Sequence, residues 1–297
     1  MSEINIEKAV LLYNDKAILG EGPVWDWRKQ LLFWVDIEGK KLHQCNTLTK
    51  ERVKWEFKEM LGAALPTEKG DIILALESGL ASFDCKTEAL TRHKVLENSD
   101  SKMRYNDAKV GPKGSIWIGS MHKEFVPNTG NLFRVTQDIK ARVKISNTTI
   151  SNGMAWSSDH KTFFYIDSTT HKVFVYDFEI ESGTISNKKT LIEVPKDFGS
   201  PDGMCIDVEG MLWIAHWGDG CVRRWDPKTA KVVEKISVDA PHVTSCCFGG
   251  QDLDTLYITT ARSGLSHEQQ SKFPLSGGLF SYKPKVKGTP ITYFKDF

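Results

Sequence analysis

TFFYID (residues 162–167) is a short apolar run rich in β-branched and aromatic side chains, and it has five counterparts. These are LLFWVD (31–36), DIILAL (71–76), SIWIGS (115–120), MLWIAH (211–216) and TLYITT (255–260). Their starts lie 40 to 49 residues apart. Similar turns precede several of them: TEKG before DIILAL, GPKG before SIWIGS and DVEG before MLWIAH. Glycine supplies the positive φ that such tight turns need. Each run is followed by a further short strand, such as KLHQCN, LASFD, KVFVYD or CVRRWD, and then by a more polar one. Four short strands in about 45 residues is the period of a propeller blade. Six copies in one phase predict an all-β fold, a six-bladed β-propeller, with residues 1–297 as one domain. A two-sheet sandwich fits radial repetition less well. TPITYFKDF at the C-terminus has strand character and is expected to help close the ring; the first dozen residues form either an irregular turn or a closing strand.

One position in each repeat matters more than the rest. Counting back 10–11 residues from the second residue of each run reaches Glu21, Gly62-Ala63, Asn106, Asn152, Asp202 and Thr244-Ser245. These residues open the strand before the aromatic one, the innermost strand of a blade. Rotation about the propeller axis then converges them on one mouth of the channel. Glu, Asn and Asp gathered there need compensation, because buried like charges repel. A hard divalent cation supplies it: carboxylate and amide oxygens without thiolate suit Ca2+, Mg2+ or Mn2+, with Zn2+ also feasible. Taken singly, Asn-Gly and Asp-Gly are ordinary turn dipeptides; the shared phase is what singles them out. Gly22, Gly153 and Gly203 are expected to let the backbone turn tightly beside the ion.

The remaining composition excludes more than it suggests. The charge is balanced, 39 basic against 38 acidic residues for a net +1. No basic stripe marks a nucleic-acid partner. No apolar stretch is long enough for a membrane span, and MSEINIEKAVLLYNDK lacks the basic start and apolar run of a signal peptide. A cytoplasmic protein is expected. Its six cysteines form no C-x-x-C pair and read as small buried hydrophobes. The G-x-S-x-G elbow, the H-E-x-x-H pair and the phosphate-binding loop are absent. His242 lies just before the sixth inner strand, and His216 and Trp217 end an aromatic run; all three are candidates to line the channel.

The motifs LGEGPVWD, RYNDAKVGPKG, ISNGMAWSSDHKTFFYIDS, PDGMCIDVEGMLWIA and VTSCCFGG resemble the regucalcin/senescence-marker protein, gluconolactonase and luciferin-regenerating-enzyme family over essentially the whole length. The resemblance implies one divalent metal ion in the central channel, held by Glu21, Asn152 and Asp202. It implies substrate binding by Arg104 and Asn106, with Glu124 as a further contact, and Asp202 as the catalytic acid/base. The implied activity is metal-dependent opening of small sugar lactones. The alternatives are a calcium-binding regulatory protein of the regucalcin type and a metal-dependent phosphotriesterase. The expected partner is the lactone itself, and the expected assembly a monomer or weak homo-oligomer.

Overall fold

The computed structural model describes residues 4–295 and 297. Six sheets, each built on four antiparallel strands, follow one another along the chain as blades. Blade 1 comprises Gly20–Asp26, Leu31–Asp36, Lys41–Asn46 and Arg52–Glu56. Blade 2 begins at Leu61–Pro66 and Ile72–Leu76, blade 3 at Met103–Val110 and Ile116–His122, and blade 4 at Ser151–Trp156 and Thr162–Asp167. Blade 5 begins at Ser200–Ile206 and Leu212–Trp217, and blade 6 at Val243–Gly249 and Thr255–Thr260. The first strand of each blade packs beside the first strand of the next, and blade 6 meets blade 1, so the ring is complete. Three of the six sequence runs coincide residue for residue with their strands.

The core is divided among the blade interfaces. Phe33, Val35, Leu61 and Leu74 pack between blades 1 and 2, and Trp117, Met154, Phe163 and Tyr165 between blades 3 and 4. Trp25, Leu32 and Tyr257 join blade 6 to blade 1. This is why the apolar runs carry large rings: each second strand is covered on both faces by neighbouring blades.

Ring closure follows the closing-strand expectation for the N-terminal segment and departs from the expectation for the C-terminal one. The fourth strand of blade 6 is Val10–Tyr13, paired antiparallel to Leu279–Tyr282. Asn5–Lys8 adds a fifth strand to blade 5, parallel to Lys231–Ser237. Among the described residues, TPITYFKDF completes no blade. Its residues 289–292 run beneath the channel, Phe294 forms a single bridge to Thr67 and is fully buried, and the Tyr293 hydroxyl donates to Asp26 at 2.7 Å. The prolines and glycine of KPKVKGTP prevent a regular ladder, while the aromatic pair fills the underside of blades 1 to 3.

Candidate functional site

Every first strand carries a register shift at the same place. The shifts fall between Glu21 and Val24, Leu61 and Ala64, Tyr105 and Ala108, Ser151 and Met154, Pro201 and Met204, and Val243 and Ser245. A β-bulge inserts an unpaired residue and re-aims its side chain. Gly62, Asn106, Asn152, Asp202 and Thr244 are such unpaired residues and form one ring, whereas Glu21 is the last paired residue before the bulge of blade 1, opposite Val35, and joins the ring through its charge coupling to Asp202; all four of the larger polar side chains are buried. The neighbouring glycines serve a purpose other than the expected turns. Gly22 does have φ +52°, but a Cβ on Gly153 would come 2.6 Å from the Asp202 carbonyl and one on Gly203 would meet Ser245. Glycine there lets adjacent first strands close to backbone contact around the axis.

Hydrogen bonds orient the ring. Asn152 Nδ2 donates to Ser168 Oγ at 2.9 Å, which leaves its Oδ1 free to face Asn106 Nδ2, 3.3 Å away. Asn106 Nδ2 also donates to the Ser151 carbonyl, and its Oδ1 accepts from Arg104 Nη1 at 2.6 Å. Asp202 Oδ1 is buried and has no hydrogen-bond partner. The segments entering the ring are tied down from the second strands. The Asp36 carboxylate accepts from the amides of Ile18, Leu19 and Gly39, and Asp167 accepts from those of Thr149 and Ile150.

Electrostatics mark the same ring. Burial, then the Asp107 charge, pushes the Glu21 carboxyl up to about 8, against a hydrogen bond from Gly22 and the Arg104 charge. Asp202 is raised well above the usual carboxylate range by burial, then by Glu21 and Asp107. Burial lowers the Arg104 guanidinium, while Glu21, Glu38, Asp202 and Glu77 pull it back. Three buried carboxylates against one buried guanidinium leave two uncompensated negative charges when all are ionised.

Asp107 is the member that sequence reasoning missed. It is only 6% exposed, its Oδ2 has no partner, and burial raises its pKa. It also borders a cavity of about 200 Å³ at the opposite end of the channel, with Lys109, Ser245 and the tail. The signal was present as the second polar residue of RYNDAKV; simple alternation would have turned it away from Asn106, and the bulge undoes that alternation.

Other expectations move. His216 is fully buried and does not line the channel: its Nδ1–H donates to the Phe198 carbonyl at 2.9 Å and Trp225 Nε1 faces its other nitrogen. It anchors the strand entry of blade 5 as Asp36 does in blade 1. Glu124 is exposed in the turn after Ile116–His122, on the face where the ring opens, with no hydrogen bond or ion pair from its side chain among the described residues. Trp217 and His242 stand at the rim. Among the described residues no three His, Cys, Asp or Glu side chains form a group ready to hold an ion; the expected set has only two carboxylates and takes an amide as its third donor. All six cysteines are free. No described helix is long and apolar enough to cross a membrane.

Fold and site together describe a six-bladed propeller that gathers acidic and amide side chains at one mouth of its channel. The chain belongs to the SMP-30/gluconolactonase/LRE-like family, whose profile matches residues 19–262. It is 36% identical to regucalcin of Danio rerio over 293 residues, covering 98% of each chain. It is 35% identical over 292 residues to YvrE of Bacillus subtilis, a candidate sugar lactone lactonase, covering 97% of this chain and 99% of that one. Among solved structures, the calcium-binding protein regucalcin of Agrobacterium tumefaciens superposes with a TM-score of 0.93 at 25% identity, over 99% of this chain and 100% of the other. A luciferin-regenerating enzyme superposes with a TM-score of 0.89 at 29% identity, covering 97% and 99%.

Proposed function

We propose that the protein hydrolyses small sugar lactones at the Glu21–Asn152–Asp202 ring, with one divalent cation bound there. The observation that carries this reading is the buried, partnerless Asp202 Oδ1 beside a second raised carboxylate, in a ring whose net charge one divalent ion neutralises. The donor set fits such an ion: two carboxylates and an amide whose nitrogen is already engaged by Ser168. A bound ion would act as a Lewis acid toward the lactone carbonyl. A sugar lactone lactonase name among the full-length relatives supports the substrate class.

The chain's own groups supply the rest. Water adds to the acyl carbon, the ring C–O bond breaks, and the products are a free hydroxyl and a carboxylic acid, which ionises and releases one proton to solvent. The water proton must leave as the C–O(water) bond forms, and the ring oxygen must gain one as it departs. In this reading the Asp202 carboxylate takes that proton and returns it. The two Arg104 nitrogens not bonded within the ring offer donors to ring hydroxyls, and the Asn106 carbonyl oxygen, which already accepts from Arg104, fixes the guanidinium before substrate arrives. A calcium-binding regulatory role is the second reading, favoured by the calcium-binding regucalcin neighbour; it uses the same ring but has no need of Arg104. Acid release from glucono-, galactono- and xylonolactone, with metal-stripped protein reloaded with Ca2+, Mn2+, Mg2+ or Zn2+, tests the proposal. Turnover no faster than spontaneous opening with every metal would overturn it.

A further inference from the structure

Register places a second layer of side chains above the ring. Two residues before the bulge residues Asn106 and Asp202 lie Arg104 and Ser200, both paired in register, and the same offset from Thr244 in blade 6 reaches His242, which bridges to Trp217. Two residues of strand rise about 7 Å, so this layer stands one side chain nearer to solvent than the carboxylates. Arg104 occupies it in blade 3 and His242 in blade 6, and in a ring of six these blades face each other across the axis.

His242 does not stand alone. Its backbone bridges to Trp217, and the two rings stack with centroids 4.0 Å apart and planes within 13°. Trp217 in turn pairs with Ser200, the same layer in blade 5. Three fixings hold the pair. His242 Nδ1–H donates to the Ser263 carbonyl at 2.9 Å, Gly218 N donates to Pro241, and Ala261 N donates to the His242 carbonyl. Burial keeps His242 below its ordinary pKa, so the stack is uncharged. The turn beside it is glycine: a Cβ on Gly264 would reach 3.5 Å from His242 and 3.8 Å from Trp217. Both rings remain partly exposed. Trp217 packs against the apolar cluster that includes Leu19 and Ala261, which accounts for its buried side, while the exposed part of the stack serves no contact of the ring.

We propose that the Trp217–His242 stack is an aromatic wall of the substrate subsite, opposite Arg104, which recognises the C–H face of a closed sugar ring and so favours cyclic substrate over opened product. This extends the lactonase reading and rests on it. The negative face of an aromatic ring attracts the weakly positive C–H edges of a pyranose-like ring. Opening the lactone destroys that flat C–H face while leaving the hydroxyls that Arg104 addresses. The wall therefore binds one side of the reaction and releases the other.

The test uses the metal-loaded protein, with gluconolactam as a closed ring that cannot open and D-gluconate as the opened chain. Both affinities are measured by calorimetry, and lactone kinetics separately. In the wild type the lactam binds more tightly than gluconate. Trp217→Ala weakens lactam binding about tenfold, leaves gluconate binding within twofold, and raises KM for gluconolactone with kcat little changed. Trp217→Phe, which preserves packing if the alanine variant misfolds, recovers most of the loss, and His242→Ala shows a smaller loss of the same kind. A wild-type lactone turnover combined with unchanged lactam affinity in all three folded variants overturns the wall and leaves the lactonase reading standing. Lactam binding that depends on Trp217, without lactone turnover by the wild type, overturns the lactonase reading and keeps the wall. Failure of the lactam to bind the wild type overturns the wall whatever the turnover.

Discussion

Asn152 Nδ2 is hydrogen-bonded to Ser168 Oγ at 2.9 Å, and that contact, with the weaker one from Asn106 Nδ2 to its Oδ1, sets which end of the amide faces the channel. An amide rotated by half a turn would present two N–H donors to a cation. Ser168→Ala removes the restraint without touching any proposed ligand. Divalent-cation affinity by calorimetry is expected to fall about fivefold, the equivalent of one hydrogen bond of about 1 kcal/mol, with melting of the metal-free protein shifted by only a few degrees. Unchanged affinity would show that Asn152 is oriented by other means or is not a ligand.

Asp107 gives a test in the opposite direction. Asp107→Asn removes a buried charge beside Glu21 and Asp202. The metal-free variant should melt higher than wild type at pH 8, while binding Ca2+ more weakly. A simple structural role for Asp107 would lower both quantities together.

The metal-free protein should also lose stability as pH rises. Glu21 ionises near 4.5 in an exposed chain and near 8 in the fold. Between these values the folded state holds a proton that the unfolded state has released. Its stabilisation is complete below about 4.5 and is lost through about 8. Asp202 and Asp107 are displaced in the same sense. Melting of EDTA-treated protein from pH 5 to 8.5 should show this decline, and saturating Ca2+ should largely remove it. A flat metal-free profile would contradict the buried-carboxylate account.

Catalysis and cation binding separate in two substitutions. Asp202→Asn should abolish lactone turnover even where metal is supplied in excess. Arg104→Ala should retain the ion yet lose roughly a hundredfold in kcat/KM, about 2.7 kcal/mol of orientation and transition-state contact. A protein that only binds calcium would respond to the first in affinity and to the second not at all.

The tail offers a stability measurement. Phe294 is fully buried between blades 2 and 3, and Arg28 lies over the Tyr293 ring with its carbon 3.4 Å from the centroid. Phe294→Ala should cost about 3–5 kcal/mol, and truncation after Gly288 should cost more and uncover the lower end of the channel. An unchanged melting temperature after truncation would contradict this packing.

The blades were legible because period and composition agree: TFFYID is apolar on both faces since both faces are covered. The inward ring was legible because Glu21, Asn152 and Asp202 share a phase. Asp107 was not, because bulges break the two-residue alternation on which strand reading depends. His216 misled because it ends an apolar run beside Trp217, yet neighbours in a strand point to opposite faces, and only Trp217 reaches the rim. Closure misled for a different reason. VLLY at 10–13 is a weak isolated run, whereas TPITYFKDF is long and aromatic; which segment completes blade 6 is decided by where the two termini meet, and no local pattern carries that information.

The second strand made, Val10–Tyr13, finds its partner only near the other end of the chain. Val10 pairs with Ser281, and at typical synthesis rates of about 5–20 residues per second the one leaves the ribosome on the order of 15–60 s before the other. By the end of that interval a growing chain has five blades made, a sixth still open, and a leading segment not yet paired. That segment is only four residues long, and Val10 stays 65% exposed even in the finished ring, so while it waits it offers other chains little apolar surface to seize. Translation broken off before residue 279 leaves it with nowhere to go, and an incomplete chain thereby displays its own incompleteness as an unsealed ring.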